Sequence, residues 1–235
     1  ISKMKNIDNV NIKLGEDLKK NLNKKTKLKL CAAYFSMYAF SELKKELNLI
    51  KEFSFIFNSP TFLEKEESSK KQKEFFISPA LRERTIAGGQ FELKLRNGLS
   101  QKAIAKECKK WIEKKCTFKS FTNKVRTNDG IFIDNPNNPI VYPGLDSFTA
   151  DGLGYVKNDD VINPIIPKLS GDSAKQYIEQ FNQIWSNKRL VKDVTNQVVN
   201  YISSVHKENS PEYLYFITLY NIFNEFLDDI NEDNL

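Results

Sequence analysis

Apolar residues come in short runs through the first two thirds of the chain and in helical stripes through the last third. Leu28-Lys29-Leu30-Cys31-Ala32-Ala33-Tyr34-Phe35 is a compact apolar run behind the lysine-rich stretch 23–27, which predicts a buried strand. A helical pattern follows, with Phe40, Leu43 and Leu47 on one side. Phe53-Ser54-Phe55-Ile56-Phe57 then predicts a second strand, ended by Asn58-Ser59-Pro60. Strand, helix and strand in about thirty residues make a βαβ unit with a parallel pair. Residues 64–74 are almost wholly charged and read as a solvated loop or an exposed helix end. Gln90 to Arg96 alternates polar and apolar positions, as a strand or extended edge does, and Asn97-Gly98 closes it.

From Ser100, a candidate N-cap, to Cys116 the apolar residues Ala103, Ile104, Cys108, Trp111 and Ile112 share one helical face. Lys102, Lys106, Lys109 and Lys110 gather on the other. Short strands are predicted at 117–121, 131–134 and 140–142, separated by the turn segments Asn128-Asp129-Gly130 and Asn135 to Pro139. Beyond Pro167 the period becomes helical. Tyr177, Ile178, Phe181, Ile184 and Trp185 form one stripe, and Val191, Val194, Val198, Ile202 and Val205 form the next. Ser210-Pro211-Glu212 starts a third helix, apolar on several sides from Leu214 to Leu227. Burial within the chain accounts for that helix, with contact to another domain or to a second copy in a homodimer as the alternative. The expected architecture is α/β: a mixed sheet flanked by helices over residues 1–168, then a helical C-terminal region over 169–235.

Composition changes this picture in three ways. The 235 residues, 40% of them hydrophobic, suffice for one sizeable core with a helical appendage. Charge is uneven: residues 1–125 carry 28 Lys and Arg against 14 Asp and Glu, a net +14, whereas 126–235 carry 8 against 16, a net −8. A basic half suits phosphates and an acidic half suits a basic neighbour, although lysine-rich codon usage gives the same count without function. Finally, no apolar run approaches the ~20 residues that cross a bilayer, and residues 1–5 carry no signal-peptide stretch, so a cytoplasmic protein with no membrane partner is expected. The start at Ile1 suggests a cut or processed chain.

Cys31, Cys108 and Cys116 lack CxxC spacing, and a single histidine, His206, cannot complete a Cys/His zinc site. Reduced thiols and no bound metal or other cofactor are expected in this segment. His206 sits beside Lys207 near the end of a predicted helix, where the helix dipole explains it more simply than catalysis. Glu92-Leu93-Lys94 has the ExK arrangement of metal-dependent nucleases, without the upstream acid that such a site needs. An alternating edge strand is the simpler account of it.

The stretch Gly144-Leu145-Asp146-Ser147-Phe148-Thr149-Ala150-Asp151-Gly152-Leu153-Gly154 resembles the second half of the phospholipase D family signature, which commonly reads GSSNFTxxGL. Gly144, Phe148, Thr149, Gly152 and Leu153 match in register, while Leu145, Asp146 and Ser147 replace serine, serine and asparagine. The first half of that signature reads HxKx4D and supplies a histidine nucleophile and a phosphate-holding lysine. Counting back from Gly144 places Gly130, Phe132 and Asn137 at those histidine, lysine and aspartate positions. Neither glycine nor phenylalanine can attack phosphorus or neutralise a phosphate oxygen, so this segment has no route to a phosphohistidine.

The segments Phe91 to Trp111, Tyr142 to Tyr155 and Ser210 to Asp228 are, in addition, similar to the N-terminal region of bacterial helicases that carry a phospholipase-D-like domain ahead of a DEAD/DEAH-type, superfamily-two motor. The resemblance implies a non-catalytic front module in a restriction or phage-defence system, with the motor beyond Leu235. No GxxxxGK[ST] loop occurs, so ATP hydrolysis is not assigned to this segment. DNA is the expected partner, because each lysine that neutralises a phosphate releases counterions and adds sequence-independent affinity. Lys102, Lys106, Lys109 and Lys110, followed by Lys119, Lys124 and Arg126, are the candidate contacts. Tyr142 and Phe148 are candidates for stacking on bases, with core packing as the competing account. A nuclease using Glu92 and Lys94 and a structural docking domain are the alternative functions.

Overall fold

The computed structural model describes residues 7–61, 98–123, 127–156 and 165–208. The Gln90 to Arg96 strand, the 64–74 run, Glu92, Lys94, Lys124, Arg126 and the helix expected from Ser210 lie outside them. Within them the chain forms α1 (Leu14–Asn21), β1 (Lys27–Ala32), β2 (Tyr34–Phe35), α2 (Met37–Glu42), α3 (Lys44–Leu49) and β3 (Glu52–Phe57). These are followed by α4 (Gly98–Lys115), β4 (Cys116–Phe121), β5 (Gly130–Asp134), β6 (Ile140–Pro143) and β7 (Ser147–Phe148). The last elements are β8 (Leu169–Ser170), α5 (Gly171–Ser186), β9 (Val191–Asp193) and α6 (Thr195–Glu208).

Seven strands make one mixed sheet in the order β8-β6-β5-β1-β3-β4-β9. The predicted parallel pair is present: β1 runs parallel to β3 with Lys27 opposite Glu52, and β3 parallel to β4 with Phe53 opposite Cys116. The other neighbours, β5, β6, β8 and β9, join antiparallel. Helices cover both faces, which is why the central strands read as near-continuous apolar runs rather than alternating ones. Leu28, Leu30, Phe53, Phe55, Phe118, Ile131 and Ile133 point to a large core shared with α1 to α4 and α6. Cys31, Ile56, Phe121, Phe132 and Val141 point to a smaller core under α5.

Several expected elements divide. The 28–35 strand breaks at Ala33, where β2 leaves the main sheet to pair with β7. The helix carrying Phe40 and Leu47 breaks at Leu43; Ser36 caps its first half by accepting the Tyr38 N–H at 3.1 Å. On α4 the expected apolar face holds except that Ala103 is exposed and Ala105 is buried in its place. The Val191 to Val205 stripe is not one helix. Val191 pairs with Phe121 in β9 and packs under α5, whereas Asp193 accepts the Thr195 N–H at 2.9 Å and α6 begins, placing Val194, Val198 and Ile202 in the other core.

A boundary at residue 168 does not divide this structure. β8 is hydrogen-bonded to β6, β9 to β4, and α5 crosses the back of the sheet, so residues 169–208 complete the same fold. One consequence sits under α5. Lys29 is buried, with its ammonium 2.6 Å from Asp134 Oδ2 and donating to Asn182 Oδ1 at 2.6 Å. Removing one partner of a buried pair strands the other charge, but the Asp134 side chain is 30% exposed and water moderates the cost. Asp134→Ala is expected to lower stability by about 2 kcal/mol in urea titration, and Lys29→Met by less than ~1 kcal/mol because no stranded cation remains. Equal losses would show that the charge is already solvated.

Candidate functional site

The parallel strands β1, β3 and β4 finish on the side where ligands sit in open α/β sheets, outside the carboxyl ends of the strands. The Gly144 to Gly154 turn lies there and is stitched to the β1–α2 connection. Ala33 N–H donates to Asp146 O at 2.7 Å, Ser36 N–H to Phe148 O at 3.0 Å, and Gly144 N–H to Asp129 O at 2.8 Å. Gly144 and Gly154 have φ of +79° and +82°, the left-handed region that glycine adopts without strain. At Gly154 a Cβ would also lie 2.6 Å from Asn9 Oδ1, an atom that accepts the Leu14 N–H at the start of α1. Phe148, Ala150 and Leu153 are fully buried. Most of the residues that resemble the family signature are therefore those that build and pack this turn.

The signature's chemical positions fall as follows. Gly130 opens β5 directly opposite Pro143, beside Gly144. Its φ is +157°, and a Cβ there would lie 2.5 Å from Tyr142 O and 3.2 Å from Pro143 Cα. Phe132 shares the same face of β5, where it is buried with its ring 5.4 Å from that of Phe181. Asn137 is exposed in the β5–β6 connection at the other end of β5, its N–H donating to Asn135 Oδ1 at 3.1 Å. Ser147 is half-buried. Gly130 lies beside the turn, Phe132 packs away from it under α5, and Asn137 is at the far end of β5.

Beside Gly130 the structure assembles a polar cluster from residues that the sequence presents only as turns. Asp129 is half-buried, accepting from Asn58 Nδ2 at 2.9 Å and from the Cys31 thiol at 3.8 Å. Thr127 Oγ1 lies 3.9 Å from Cys31 Sγ. Burial raises the Asp129 carboxyl above the usual carboxylate range and the nearby Asp146 adds to it, while the Asn58 and Cys31 hydrogen bonds act the other way. Burial, and then the Asp129 charge, pushes the Cys31 thiol up to about 12. The thiolate is the reactive form, so Cys31 is inert near neutral pH. Among the described residues, no three His, Cys, Asp or Glu side chains are grouped to hold a metal ion.

The raised Asp129 pKa has a pH consequence. A folded state that binds its proton more tightly than the unfolded chain loses stability as pH climbs from the unfolded carboxyl range, about 4, through the raised value. Urea midpoints measured from pH 4 upward should show this falling limb in the wild type and a flatter one in Asp129→Asn, which should be the more stable of the two at pH 7. A wild-type midpoint that rises across the same interval, with the two proteins parallel, would count against it.

The candidate lysines are not one surface. Lys106 and Lys110 are exposed on α4, and Lys109, half-buried, has its ammonium 3.7 Å from Glu113. Lys102 lies in the same helix. Lys119, in contrast, points to the opposite face of the sheet. Its ammonium donates to Trp185 O at 2.8 Å and lies 4.3 Å from the indole centroid, and burial, aided by Lys188, lowers its pKa. Strand alternation explains this, because Phe118 faces the core under α4 and the next residue must face α5. Tyr142 and Phe148 are core residues with 0% exposure, and the Tyr142 hydroxyl donates to Asp17 Oδ2 at 2.6 Å, so neither ring is open to a base. His206 lies in the last turns of α6.

Together these features define a three-layer mixed α/β domain with a hydrogen-bonded glycine turn and a small carboxyl-amide-thiol cluster at the strand ends. No family model matches the chain, and no curated protein matches it in sequence. Among the described residues, no helix is long and apolar enough to cross a membrane.

Proposed function

We propose that this chain is a non-catalytic phospholipase-D-like module of a bacterial DNA helicase, acting within a restriction or phage-defence system to bind DNA or position the motor. The observation that carries the reading is Gly130. It stands beside the glycine turn at the position that the signature resemblance gives to the nucleophile, and the backbone of Tyr142 and Pro143 leaves no space for a side chain there. A module that keeps the turn without the nucleophile serves by binding rather than by turnover, and the exposed Lys106 and Lys110 on α4 supply phosphate-facing charge.

The test is a titration of the purified chain with labelled DNA across salt concentrations, with and without magnesium. Binding that weakens steeply with salt, and weakens further in Lys106→Glu/Lys109→Glu, is expected. Magnesium-dependent cleavage abolished by Glu92→Ala would replace this reading with the nuclease. No binding at low salt would leave a docking domain.

A further inference from the structure

The parallel register of β1, β3 and β4 brings together, at their starts, lysines that are far apart in sequence. Residues 22–26 lead into β1, residues 50–51 lead into β3, and α4 runs directly into β4 at Lys115-Cys116. Backbone contacts fix the junction. Lys51 N–H donates to Thr26 O at 2.8 Å, and the Lys115 ammonium donates to Ile50 O at 2.7 Å and to Asn48 O. Lys24, Lys25, Lys51 and Lys114 are all exposed on this end, opposite to the glycine turn.

Their charge is not cancelled locally. The acids on the strands are already engaged: Glu52 lies 3.8 Å from Lys27, and Asp134 2.6 Å from Lys29. Of the helix acids, Glu46 is half-buried one turn before Ile50, and Glu113, exposed beside Lys114, lies 3.7 Å from Lys109. None of Lys24, Lys25, Lys51 and Lys114 makes an ion pair with another described residue. Lys114 beside Lys115 contributes, after burial, to depressing the Lys115 pKa, which is the mark of crowded like charge. On α4, Lys106, Lys110 and Lys114 follow at four-residue spacing, so one helix face continues the charge away from the sheet end.

We propose that the strand-start end binds the phosphate backbone of duplex DNA, with Lys24, Lys25, Lys51 and Lys114 as its centre and Lys110 and Lys106 as its extension. This rests on the nucleic-acid reading above and moves the main contact to the end of the sheet opposite the glycine turn. Flexible ammonium groups act as point charges with no fixed fork geometry, which suits a regular row of phosphates and carries no base information. Single strands are held by exposed aromatic platforms, and the large hydrophobics exposed among the described residues are Val10, Leu49 and Ile165, none of them aromatic. A membrane surface needs apolar area beside the charge, and Leu49 alone supplies little.

Anisotropy titrations of the 235-residue chain with a labelled 30-base-pair duplex test this. Lys24→Glu/Lys25→Glu/Lys51→Glu should weaken binding at least ~10-fold at low salt and flatten the log affinity against log salt slope by roughly 2 to 3, at about 0.9 per lost phosphate contact. Lys188→Glu/Arg189→Glu/Lys192→Glu makes the same change of net charge elsewhere and should weaken it much less. Equal losses in the two triples would reduce the effect to net charge and overturn the inference. So would an unchanged first triple; the DNA reading then survives if Lys106→Glu/Lys109→Glu still weakens binding. A wild type that fails to bind duplex at low salt overturns both. Tighter binding to the single strand, or to phosphatidylserine vesicles, with loss in the first triple, would also overturn the duplex assignment. Melting temperatures should be unchanged, and if the glutamate triple unfolds, Lys24→Gln/Lys25→Gln/Lys51→Gln is read in its place.

Discussion

Phe148→Ala is expected to destabilise the protein by about 4 kcal/mol, within the range for deleting a buried aromatic ring. Phe148 has 0% exposure, and its ring lies 6.1 Å from Phe35 and 5.9 Å from Phe53, centroid to centroid. Phe35 in turn meets Phe53, Phe55 and Phe118 edge-on, so the deletion opens a cavity in an aromatic cluster drawn from β2, β3, β4 and β7. The surroundings have little freedom to close it. Phe148 is held by pairing with Phe35 in β2–β7, and its carbonyl accepts the Ser36 N–H. Phe148→Leu keeps most of the volume and should cost less than about 1.5 kcal/mol. Urea midpoints at constant m value measure both. DNA affinity unchanged in Phe148→Leu would agree with burial, whereas a large loss of affinity with little loss of stability would return the ring to a base-stacking role.

Gly130→His restores the residue type that the signature resemblance places there, and it should fail both as a fold and as a catalyst. A φ of +157° is avoided by residues with a Cβ and costs of order 1–3 kcal/mol, and forcing a Cβ to within 2.5 Å of the Tyr142 carbonyl adds overpacking of similar size. The sum is about 3 kcal/mol or more. The neighbouring atoms are backbone, held by the Ile131 to Tyr142 pairing and by the Gly144 N–H to Asp129 O bond, so relief requires parting β5 from β6. Gly130→Ala separates the two effects, since it meets the same Cβ clash without the imidazole. An alanine variant within ~0.5 kcal/mol of wild type would show that the strand shifts easily, and phosphodiesterase turnover in the histidine variant would mean that only one residue had been lost.

These two residues show how far sequence reading reaches. Phe148 and Gly130 were both marked by the resemblance around Gly144, but pattern alone could not say whether Phe148 packs inward or faces a ligand. The same limit separated Lys119 from Lys106 and Lys110. A helix period gives one exposed face, while a strand residue alternates between two faces that are both covered here, and nothing local says which helix Lys119 will meet. The Asp129, Asn58 and Cys31 cluster was illegible for another reason. Each belongs to a different segment, and Asp129 and Asn58 look like ordinary turn residues until β1, β3 and β5 are set side by side.

The sequence by itself determined the apolar runs that become β1, β3, β4, β5 and β6, the parallel β1–β3 unit, the amphipathic α4 and the glycine turn. Each of these is specified by local spacing and by backbone demands that a few residues satisfy. It did not specify α1, whose Leu14, Leu18 and Leu22 are spaced for a helix within a polar, lysine-rich stretch, nor β8 and β9, which are too short to carry a period and exist because β6 and β4 offer open edges. Tertiary structure alone decided that residues 169–208 close the same sheet, that the strand ends hold a buried thiol beside a half-buried carboxyl, and that the segments carrying Lys24, Lys25, Lys51 and Lys114 come to one end of the sheet. Those are contacts between distant segments, set by strand register and by which core each helix covers, and register is a property of pairing rather than of any one stretch of chain.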